Sequence, residues 1–376
     1  MTYNVFSGTL NLTQLRFTHI SVYATGDILV NASTLNYNQD NGANITYDGG
    51  WRMFNHSSFS YNFGNGVNMT FNETSIDNRT RYTRHQRTEV SWSQFVDNEG
   101  HGVRVANYCR TATAFVNDST FIGNWLAAVT MDSCYLPVPP TNVTNFTVSY
   151  NVFGGNREHA IKIAPLINAI GTIANNTFYN HSKYVLLLDN TDDFLRSIYY
   201  RPMTVSYSII SNRFVHNRGY YVANLRLTQG SPKQSMDVMY NVFTDNEITG
   251  AFPTLNQRTR SYAVVILSSS NINMTRNHLE NRASQYEIAT HLLELAVVLQ
   301  ATAQWWGTTD YNDIIHRIFD QYRLVADMLL TIFMFMFVFF RVILRYLYFI
   351  ATPVYDTISY YALRVFPYRL LLNTTF

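Results

Sequence analysis

Residues with the types and spacing that catalysis requires are few in this chain. Two carboxylates are adjacent at Asp192 and Asp193, and His159 follows Glu158, so a metal site or an acid–base pair would have to start from one of these. We interpret the first pair as part of a solvated loop and the second as a turn. The ten histidines show no HExxH spacing, and neither a GxSxG motif nor a P-loop occurs. The sequence therefore predicts no catalytic residue, no metal site and no cofactor.

Basic residues are gathered in one stretch, and anionic ligands are the chemistry that it suggests. Arg79, Arg81, Arg84, His85 and Arg87 could contact an acidic glycan or a lipid head group, although a solvated insertion is the interpretation that we favour. The formal net charge is only +2 and 14% of the residues are charged, which speaks against nucleic-acid binding. With 27 Tyr and 25 Phe, the chain is too aromatic to be disordered.

Asparagine chemistry is more prominent, because the chain carries fourteen Asn-x-Ser/Thr sequons. This density predicts passage through the secretory pathway and N-glycans on surface loops, although an Asn- and Thr-rich chain also produces sequons by chance. The glycosylation candidates are Asn31, Asn44, Asn55, Asn68, Asn72, Asn117, Asn142, Asn175 and Asn273, and further sequons begin at Asn11, Asn78, Asn145, Asn180 and Asn373.

A repeat indicates the elements that would position these residues. The tetrapeptide YNVF occurs at residues 3–6, 150–153 and 240–243, inside a wider pattern of Asn or Ser, any residue, Phe or Leu, two residues and Asn. The Phe or Leu anchors of this pattern lie about 24 to 36 residues apart, a period typical of solenoids. We predict that the anchors point inward and stack from coil to coil: Leu35, Phe59, Phe95, Phe121, Phe153, Phe178, Phe214, Phe243 and Leu279.

Each anchor is followed by alternating apolar and polar residues, which predict one short strand per coil. The inward pairs are expected eight and ten residues after the anchor, as at Val103 and Val105, and one residue earlier in two copies that we interpret as shortened, those of Phe178 and Leu279. The Asn residues of the repeat are expected at turns, where they tolerate the left-handed conformation. These features predict an all-β fold, a right-handed parallel β-helix solenoid over residues 1–300.

The residue between each inward pair should face solvent, and a polysaccharide-active β-helix would need paired carboxylates on this outer face. The predicted outward residues are Asn44, Asn68, Arg104, Thr130, Lys162, Leu186 and Glu287. Only Glu287 is acidic. The sequence therefore argues against a polysaccharide lyase or hydrolase, which we keep as the alternative function.

Two cysteines test the register of the repeat. Cys109 lies fourteen residues after Phe95, and Cys134 lies thirteen after Phe121, so adjacent coils should bring them within bridging distance. We predict a disulfide between them, which suits an oxidising compartment. Two buried free thiols are the alternative.

The open end of the coil stack needs a cover, and residues 301–322 are predicted to provide it. Trp305 and Trp306 offer large apolar side chains, and Gly307 permits a tight turn. Apolar residues at helical spacing in DYNDIIHRIFD predict a short capping helix: Ile314, Ile315, Ile318 and Phe319.

The closing segment resembles the end of a β-helix module in the bark beetle (Anakonda) family through SQYEI, QWWGT and IIHRIFD. GHGVRVANYC and NTFYNHSKYVLLLDN are also similar, and the resemblance covers most of residues 31–320. It implies a large, glycosylated, single-pass membrane protein at epithelial contacts where three cells meet, needed for mature septate junctions. It implies no catalytic residue. The scavenger-receptor and lectin-like domains of family members have no counterpart here, since two cysteines are too few for either.

The chain departs from this resemblance after Gln321. Residues 328–350, MLLTIFMFMFVFFRVILRYLYFI, are long enough to span a bilayer, and snorkelling of Arg341 and Arg345 toward one end would reduce the cost of burying them. Positive charge beyond them places the tail, residues 351–376, in the cytoplasm. We therefore predict a C-terminal transmembrane helix, with a rearranged tail on a module fragment as the alternative.

The expected function is extracellular adhesion or scaffolding at the plasma membrane, in a cell junction. We expect other cell-surface or junction proteins as partners, glycans as a second class, membrane contact through the C-terminal helix, and no nucleic acid. The N-terminus, MTYNVFSGTL, has no basic n-region and no apolar h-region, so no signal peptide is predicted in this chain. Two explanations stay open: the targeting sequence is missing from a partial chain, or membrane insertion depends on the C-terminus. A partial gene product with no independent function is a further alternative.

Overall fold

The backbone of the computed structural model runs through successive coils, each of which adds strands to the same sheets. The structure describes residues 2–5, 9–13, 20–24, 26–47, 49–71, 86–108, 112–133, 143–163, 166, 168–191, 204–228, 231–249, 263–290 and 300–320. The strand pairs described in these ranges are parallel, and each joins one coil to the next. The register of Phe95, Phe121 and Phe153 in three neighbouring coils is an example.

Three long sheets form the sides of the coil. Sheet A has twelve strands: Thr2–Val5 (β1), Ile20–Ala24 (β3), Ala43–Tyr47 (β5), Val67–Phe71 (β7), Val103–Tyr108 (β10), Val129–Ser133 (β13), Ile161–Ile163 (β16), Tyr184–Asn190 (β19), Tyr221–Leu227 (β23), Val265–Leu267 (β27), Ile288–Thr290 (β30) and Ile318–Asp320 (β32). Sheet B has eleven: Thr9–Thr13 (β2), Asp27–Asn31 (β4), Gly50–Asn55 (β6), Gln86–Ser91 (β8), Ala112–Asn117 (β11), Thr144–Ser149 (β14), Ala169–Ala174 (β17), Val205–Ile210 (β20), Gln234–Met239 (β24), Ile272–Thr275 (β28) and Gln300–Thr302 (β31).

Sheet C has seven short strands: Gln94–Val96 (β9), Thr120–Ile122 (β12), Val152–Gly154 (β15), Thr177–Tyr179 (β18), Arg213–Val215 (β21), Val242–Thr244 (β25) and His278–Glu280 (β29). A further pair consists of Arg218–Gly219 (β22) and Glu247–Ile248 (β26). One short helix, Tyr311–His316 (α1), lies near the end of the described chain. The described residues are thus all-β apart from this helix and form a parallel β-helix.

The chain divides into two units, Met1–Phe319 and Asp320–Phe376. The coils belong to the first unit, whereas the second lies outside the described residues except for Asp320. The predicted membrane helix, residues 328–350, and the tail therefore lie outside them too. Within the described part of the chain, no helix is long and apolar enough to cross a membrane.

The repeat anchors form one continuous stack inside the coils, as the sequence predicts. All nine are fully buried, with 0% of each residue exposed: Leu35, Phe59, Phe95, Phe121, Phe153, Phe178, Phe214, Phe243 and Leu279. Neighbouring phenyl rings have centroids 4.5–5.2 Å apart and planes within 14° of parallel. The stack follows from the coil spacing of about 4.8 Å, which equals the distance between hydrogen-bonded strands. Each buried ring contributes about 1.5–3 kcal/mol.

A ladder of Ser and Asn side chains runs along one side of sheet C. In this Ser/Asn ladder, each side-chain oxygen accepts a hydrogen bond from the backbone N–H of the ladder residue one coil earlier, at 2.9 Å from Asn212 to Asn241, for example. Its members are Ser33, Ser57, Ser93, Ser119, Asn151, Asn176, Asn212, Asn241, Asn277 and Gln304. The bonds satisfy backbone donors that the turn would otherwise bury without a partner.

A second ladder, the amide ladder, runs along the other side of sheet C. Here the side-chain amide of one Asn donates to the side-chain oxygen of the next, at 2.8 Å from Asn98 to Asn124. The same amide also donates a hydrogen bond to the backbone carbonyl of the anchor residue one coil earlier, at 2.8 Å from Asn98 to Phe59. The members are Asn38, Asn62, Asn98, Asn124, Asn156, His181, Asn217, Asn246 and Asn281. These bonds explain the two polar positions of the repeat.

His181 interrupts the amide ladder. Its Nε2 lies 3.3 Å from the Phe153 carbonyl, as the Asn amide does in the other coils, and its Nδ1 lies 3.2 Å from the Asn156 backbone carbonyl in place of the amide-to-amide bond. Burial lowers the pKa of His181 to about 4. Because His181 takes the amide position, the copy anchored at Phe178 is full length. Our interpretation of that copy as shortened was wrong.

The left-handed turn residues are not the ones that the sequence predicted. Most of the positive φ values occur at the residue immediately before a ladder residue, as at Tyr61 (58°), Trp92 (51°) and Tyr150 (58°). Among the described residues, Asn has positive φ at Asn168, Asn175 and Asn180. The ladder side chains must point inward to bridge the coils, so the preceding residue makes the turn and its side chain points out. Trp92 and Tyr150 are accordingly 58% and 61% exposed.

The predicted cover lies at the end of the described coils. Trp306 is 8% exposed and joins the core, whereas Trp305 is 48% exposed and packs edge-on against His278 at 6.4 Å. Gly307 has φ of 72°, and a side chain there would meet Glu280 Cγ at 2.9 Å, so a substitution would strain the backbone and displace the Glu280 side chain.

The capping helix is shorter than the sequence predicted. The Asp310 carboxylate caps α1 by accepting the Asn312 N–H at 2.8 Å, and the helix ends at His316. Ile318 and Phe319 then belong to β32, which extends sheet A beyond β30. The unpaired edge of β30 explains the change, because the Arg317 carbonyl accepts the Glu287 N–H at 2.8 Å. Ile314 and Ile318 remain only partly buried against the core.

Candidate functional site

Charged side chains are concentrated on the outer face of sheet A, across β10, β13, β16, β19 and β23. The strand register places four side chains in one row: Arg104, Thr130, Lys162 and Leu187. Asp132 and Asp189 lie two residues further along β13 and β19, in the adjacent outward row, and Asp189 pairs with Arg226 of β23. We name Arg104, Asp132, Lys162, Asp189 and Arg226 the charged face.

The two ends of the charged face are paired, and its centre is not. Arg104 Nε lies 3.3 Å from Asp132 Oδ2, and Arg226 Nη1 lies 2.7 Å from Asp189 Oδ2. Asp189 also accepts hydrogen bonds from the Thr191 backbone and hydroxyl, at 3.0 and 2.6 Å. Among the described residues, Lys162 makes no ion pair. Side-chain exposures of 24–44% keep the paired groups in contact with water.

This face differs from the one that the sequence predicted at three positions. Thr130 lies in the outward row but is buried, with 1% of the residue exposed. Leu186 is buried, and Leu187 faces out, because the Phe178 copy is full length and its inward pair keeps the usual offset. Glu287 is buried at 0% exposure instead of facing solvent, because it closes the amide ladder. The expectation that this face has only one carboxylate was wrong as well, since reading only the central outward position of each strand missed Asp132 and Asp189.

Histidine and tyrosine side chains border the charged face where the strands begin. The His159 ring stacks on Tyr184 at 4.7 Å, and its Nε2 lies 3.0 Å from the Tyr221 hydroxyl. His159 therefore pairs with Tyr221 and not with the adjacent Glu158. Burial, followed by the nearby positive charge of Lys162, lowers the pKa of His159 to about 3. Burial likewise lowers the pKa of His101 to about 4, so both rings are neutral at pH 7.

Glu287 ends the amide ladder with a buried ion pair. Its carboxylate accepts the Asn281 backbone N–H at 2.7 Å and the Asn281 side-chain amide at 2.6 Å. Arg317 Nη1 lies 3.0 Å from the same carboxylate and also donates to the Trp306 carbonyl at 3.1 Å. Burial raises the pKa of Glu287, while the Asn281 donors and the Arg317 charge oppose that rise. The pair joins the last amide of the ladder to the cap, so its role is structural.

The sequons fall into two groups by exposure. Asn145, Asn175 and Asn180 are exposed, and only Asn175 of these belongs to the glycosylation candidates. The half-buried candidates are Asn31, Asn44, Asn55, Asn68, Asn117 and Asn273. Some of their amides already bridge coils, as in the 2.9 Å bond from Asn68 to Asn44 and the 3.2 Å bond from Asn273 to Asp237. Asn72 and Asn142 lie outside the described residues.

Other predicted residues also lie outside the described part of the chain. Cys109 and Cys134 are among them, but the residues just before them, Tyr108 and Ser133, are paired in sheet A. The disulfide stays a prediction. Asp192, Asp193 and most of the basic stretch likewise fall outside, except Arg87, which pairs with Glu89 at 3.0 Å. In the described ranges no group of three or more His, Cys, Asp or Glu could hold a metal ion.

Comparison with known proteins gives one curated relative. No family model matches the chain. The "Protein bark beetle" of Drosophila melanogaster is 33% identical in an alignment of 276 residues that covers 67% of this chain. This chain belongs to the bark beetle family. It spans only 9% of that relative's length, so it corresponds to a small part of a bark beetle protein.

Three solved structures align weakly with this bark beetle family member. The Dettilon tailspike protein gp208 shares 11% identity, covering 77% of this chain and 62% of its own, with a TM-score of 0.29. The Pseudomonas phage phi297 tailspike gp61 shares 14% identity, with coverages of 70% and 47% and a TM-score of 0.30. The periplasmic alginate epimerase AlgG shares 10%, with coverages of 81% and 77% and a TM-score of 0.28. Alignments this weak carry no information about activity.

Proposed function

We propose that this protein is an extracellular, glycosylated scaffold at epithelial cell junctions. In this proposal, a right-handed parallel β-helix is held at the plasma membrane by residues 328–350, and the protein is not an enzyme. The observation that carries the proposal is the 33% identity to Protein bark beetle, together with the junction role that the family implies. The match covers only 9% of that relative's length, so a role of this chain in junction assembly is our proposal.

The architecture supports a scaffolding role. From Ser33 onward, the described coils are joined by the strands, the stack of anchors and the two ladders, with the amide ladder interrupted at His181, so the coils cannot slide independently. The polar ladders are satisfied internally, which leaves the outward side chains free to differ from coil to coil. A stiff rod with a variable surface suits binding to other junction proteins.

Cell-surface experiments test this proposal on the full chain. A C-terminally tagged protein expressed in epithelial cells should lose mass with peptide N-glycosidase F, resist alkaline extraction, and have its β-helix accessible to an external protease. Enrichment at cell contacts is expected. A soluble, unglycosylated protein inside the cell would overturn the proposal.

A carbohydrate-active enzyme is the second candidate, because two carboxylates lie on the outer face of sheet A. Asp132 and Asp189 are two coils apart, about 10 Å between Cα atoms. Their side chains would have to bring the carboxyl groups within about 6.5–9.5 Å of each other for inverting glycoside hydrolysis. Each is paired with an arginine, which speaks against a free acid or base. Release of reducing or unsaturated ends from a polysaccharide panel, abolished by both Asp132→Asn and Asp189→Asn, would establish this alternative.

A further inference from the structure

We propose that the charged face binds an acidic polysaccharide that carries one anionic group on every second sugar. The polymer would lie along the helix axis across β10 to β23. This inference deepens the scaffold function by naming a ligand class. It rests on the proposed function only for its extracellular setting, because binding can be measured on purified protein.

The spacing of positive charge carries the proposal. Arg104, Lys162 and Arg226 lie on β10, β16 and β23, so one cation occurs in every second coil along the helix axis. Arg104 and Lys162 share one outward row, and Arg226 lies two residues further along its strand, in the adjacent row. Two coils extend about 10 Å, which is comparable to the length of a disaccharide. A polymer with an anionic group on alternate sugars would therefore present its charges at the period of the three cations.

The intervening carboxylates fit the same polymer. Asp132 and Asp189 lie on β13 and β19, opposite the sugars that carry no charge, where a carboxylate can accept sugar hydroxyl protons. Each carboxylate also forms an ion pair with an arginine, at 3.3 Å for Asp132 with Arg104 and 2.7 Å for Asp189 with Arg226. Because these arginines are already held in place, they lose less side-chain entropy when a ligand binds. A polymer with an anionic group on every sugar would place charges against these carboxylates and is disfavoured.

Lys162 is the cation most available to a ligand. It lies at the centre of the charged face and has no ion-pair partner in the described ranges, whereas Arg104 and Arg226 share their charge with a carboxylate. The buried His159 and His101 rings beside it are neutral at pH 7 because burial lowers their pKa values, so they do not compete for the anion. An acidic sugar at Lys162 would thus form an ion pair with a cation that no carboxylate of the described residues already neutralises.

The charged face is also free of sequons, unlike the coils before it. Strands β10, β13, β16, β19 and β23 contain no Asn-x-Ser/Thr, whereas β5 and β7 carry Asn44 and Asn68 on the same outer face. N-glycans on these strands would block a long ligand, and these five strands offer no N-glycan attachment site of their own.

Binding of purified full chain to three immobilised polymers tests the proposal. Hyaluronan has one carboxylate per disaccharide, polygalacturonate has one on every sugar, and dextran has none. We expect the chain to bind hyaluronan most tightly, with affinity that falls as salt rises. Absence of hyaluronan binding, or equal binding to dextran, would overturn the proposal while leaving the scaffold function intact.

Matched variants assign the binding to this face. Lys162→Gln should weaken hyaluronan binding at least about threefold, the effect of one partly exposed charge pair, and Lys162→Arg should restore it. Arg213→Gln removes the same charge from an exposed position on sheet C and should leave binding unchanged. Equal losses in Lys162→Gln and Arg213→Gln would reduce the binding to net charge and refute the site. Thermal unfolding of each variant controls for folding.

Discussion

Phe121 shows what one residue contributes to the phenyl stack. Its ring lies between Phe95 and Phe153, with centroids at 4.8 and 5.0 Å, and is fully buried. Phe121→Ala should lower the free energy of unfolding by about 3–5 kcal/mol, because it leaves a cavity and removes stacking on both faces. Urea unfolding measures this. Phe63→Ala is the control, since Phe63 is 65% exposed and its loss should change stability by less than about 0.5 kcal/mol.

His181 makes stability depend on pH. Its pKa is about 4 in the folded protein, because it is buried, and about 6.5 in the unfolded chain. Between these values the unfolded chain binds more protons, so stability is complete above about pH 6.5 and declines as pH falls toward 4. At pH 5 the loss from His181 alone is on the order of 2 kcal/mol.

The variant His181→Asn isolates this contribution. It should restore the amide-to-amide bond that the neighbouring coils have, stabilise the protein at pH 7 by about 1 kcal/mol, and reduce the loss of stability between pH 7 and pH 5. Urea unfolding at both pH values measures the two effects. An unchanged pH dependence would show that His181 does not titrate as described.

At the scale of elements, the joint between the amide ladder and the cap depends on Arg317. Arg317→Gln leaves the Glu287 carboxylate buried without its cation and should destabilise the protein by about 3 kcal/mol. Arg282→Gln is the control, because it removes an arginine whose side chain is 83% exposed and whose ion pair with Glu280 lies at the surface. It should lower the free energy of unfolding by less than about 1 kcal/mol. Thermal unfolding compares them, and equal shifts would contradict the structural role of the buried pair.

The predicted disulfide also belongs to this scale, because it would staple two adjacent coils. Tyr108 and Ser133, which precede Cys109 and Cys134, are paired neighbours in sheet A. Thiol titration of the denatured, unreduced protein should find no free thiol, and replacing both cysteines by serine should cost about 3 kcal/mol. Two titratable thiols would refute the bond.

The elements could be predicted from sequence where one residue type recurs in one role. The phenyl anchors are large and apolar, and they stand at a constant sequence spacing from the ladder residues, so the sequence predicts that they point inward. The turn residues could not be predicted, because outward positions such as Trp92 and Tyr150 share no side-chain type. The sequence places Leu186 on the wrong face, because His181 at the amide position makes the full-length Phe178 copy look shortened. The burial of Glu287 depends on its ion pair with Arg317, which lies thirty residues further along the chain.

The charged face could not be predicted from one strand at a time. Arg104 and Lys162 were expected to point outward, but their relation to Asp132, Asp189 and Arg226 depends on the register of five strands separated by turns of different length. Only the assembled sheet brings these residues together. Candidate sites on a solenoid are therefore properties of neighbouring coils.

At the largest scale that the structure describes, the coils of the first unit contact their neighbours along the axis, so the stability of this unit is approximately a sum over coil interfaces. A pull along the axis passes through these interfaces in series, and the one with the fewest bonds yields first. At His181 the sheets continue, but the side-chain amide bond from Asn156 is missing, and a 3.2 Å contact from the imidazole to the Asn156 backbone carbonyl takes its place. We expect an axial force to separate the coils at this step, which would leave two shorter stacks, each with an unbroken run of amides.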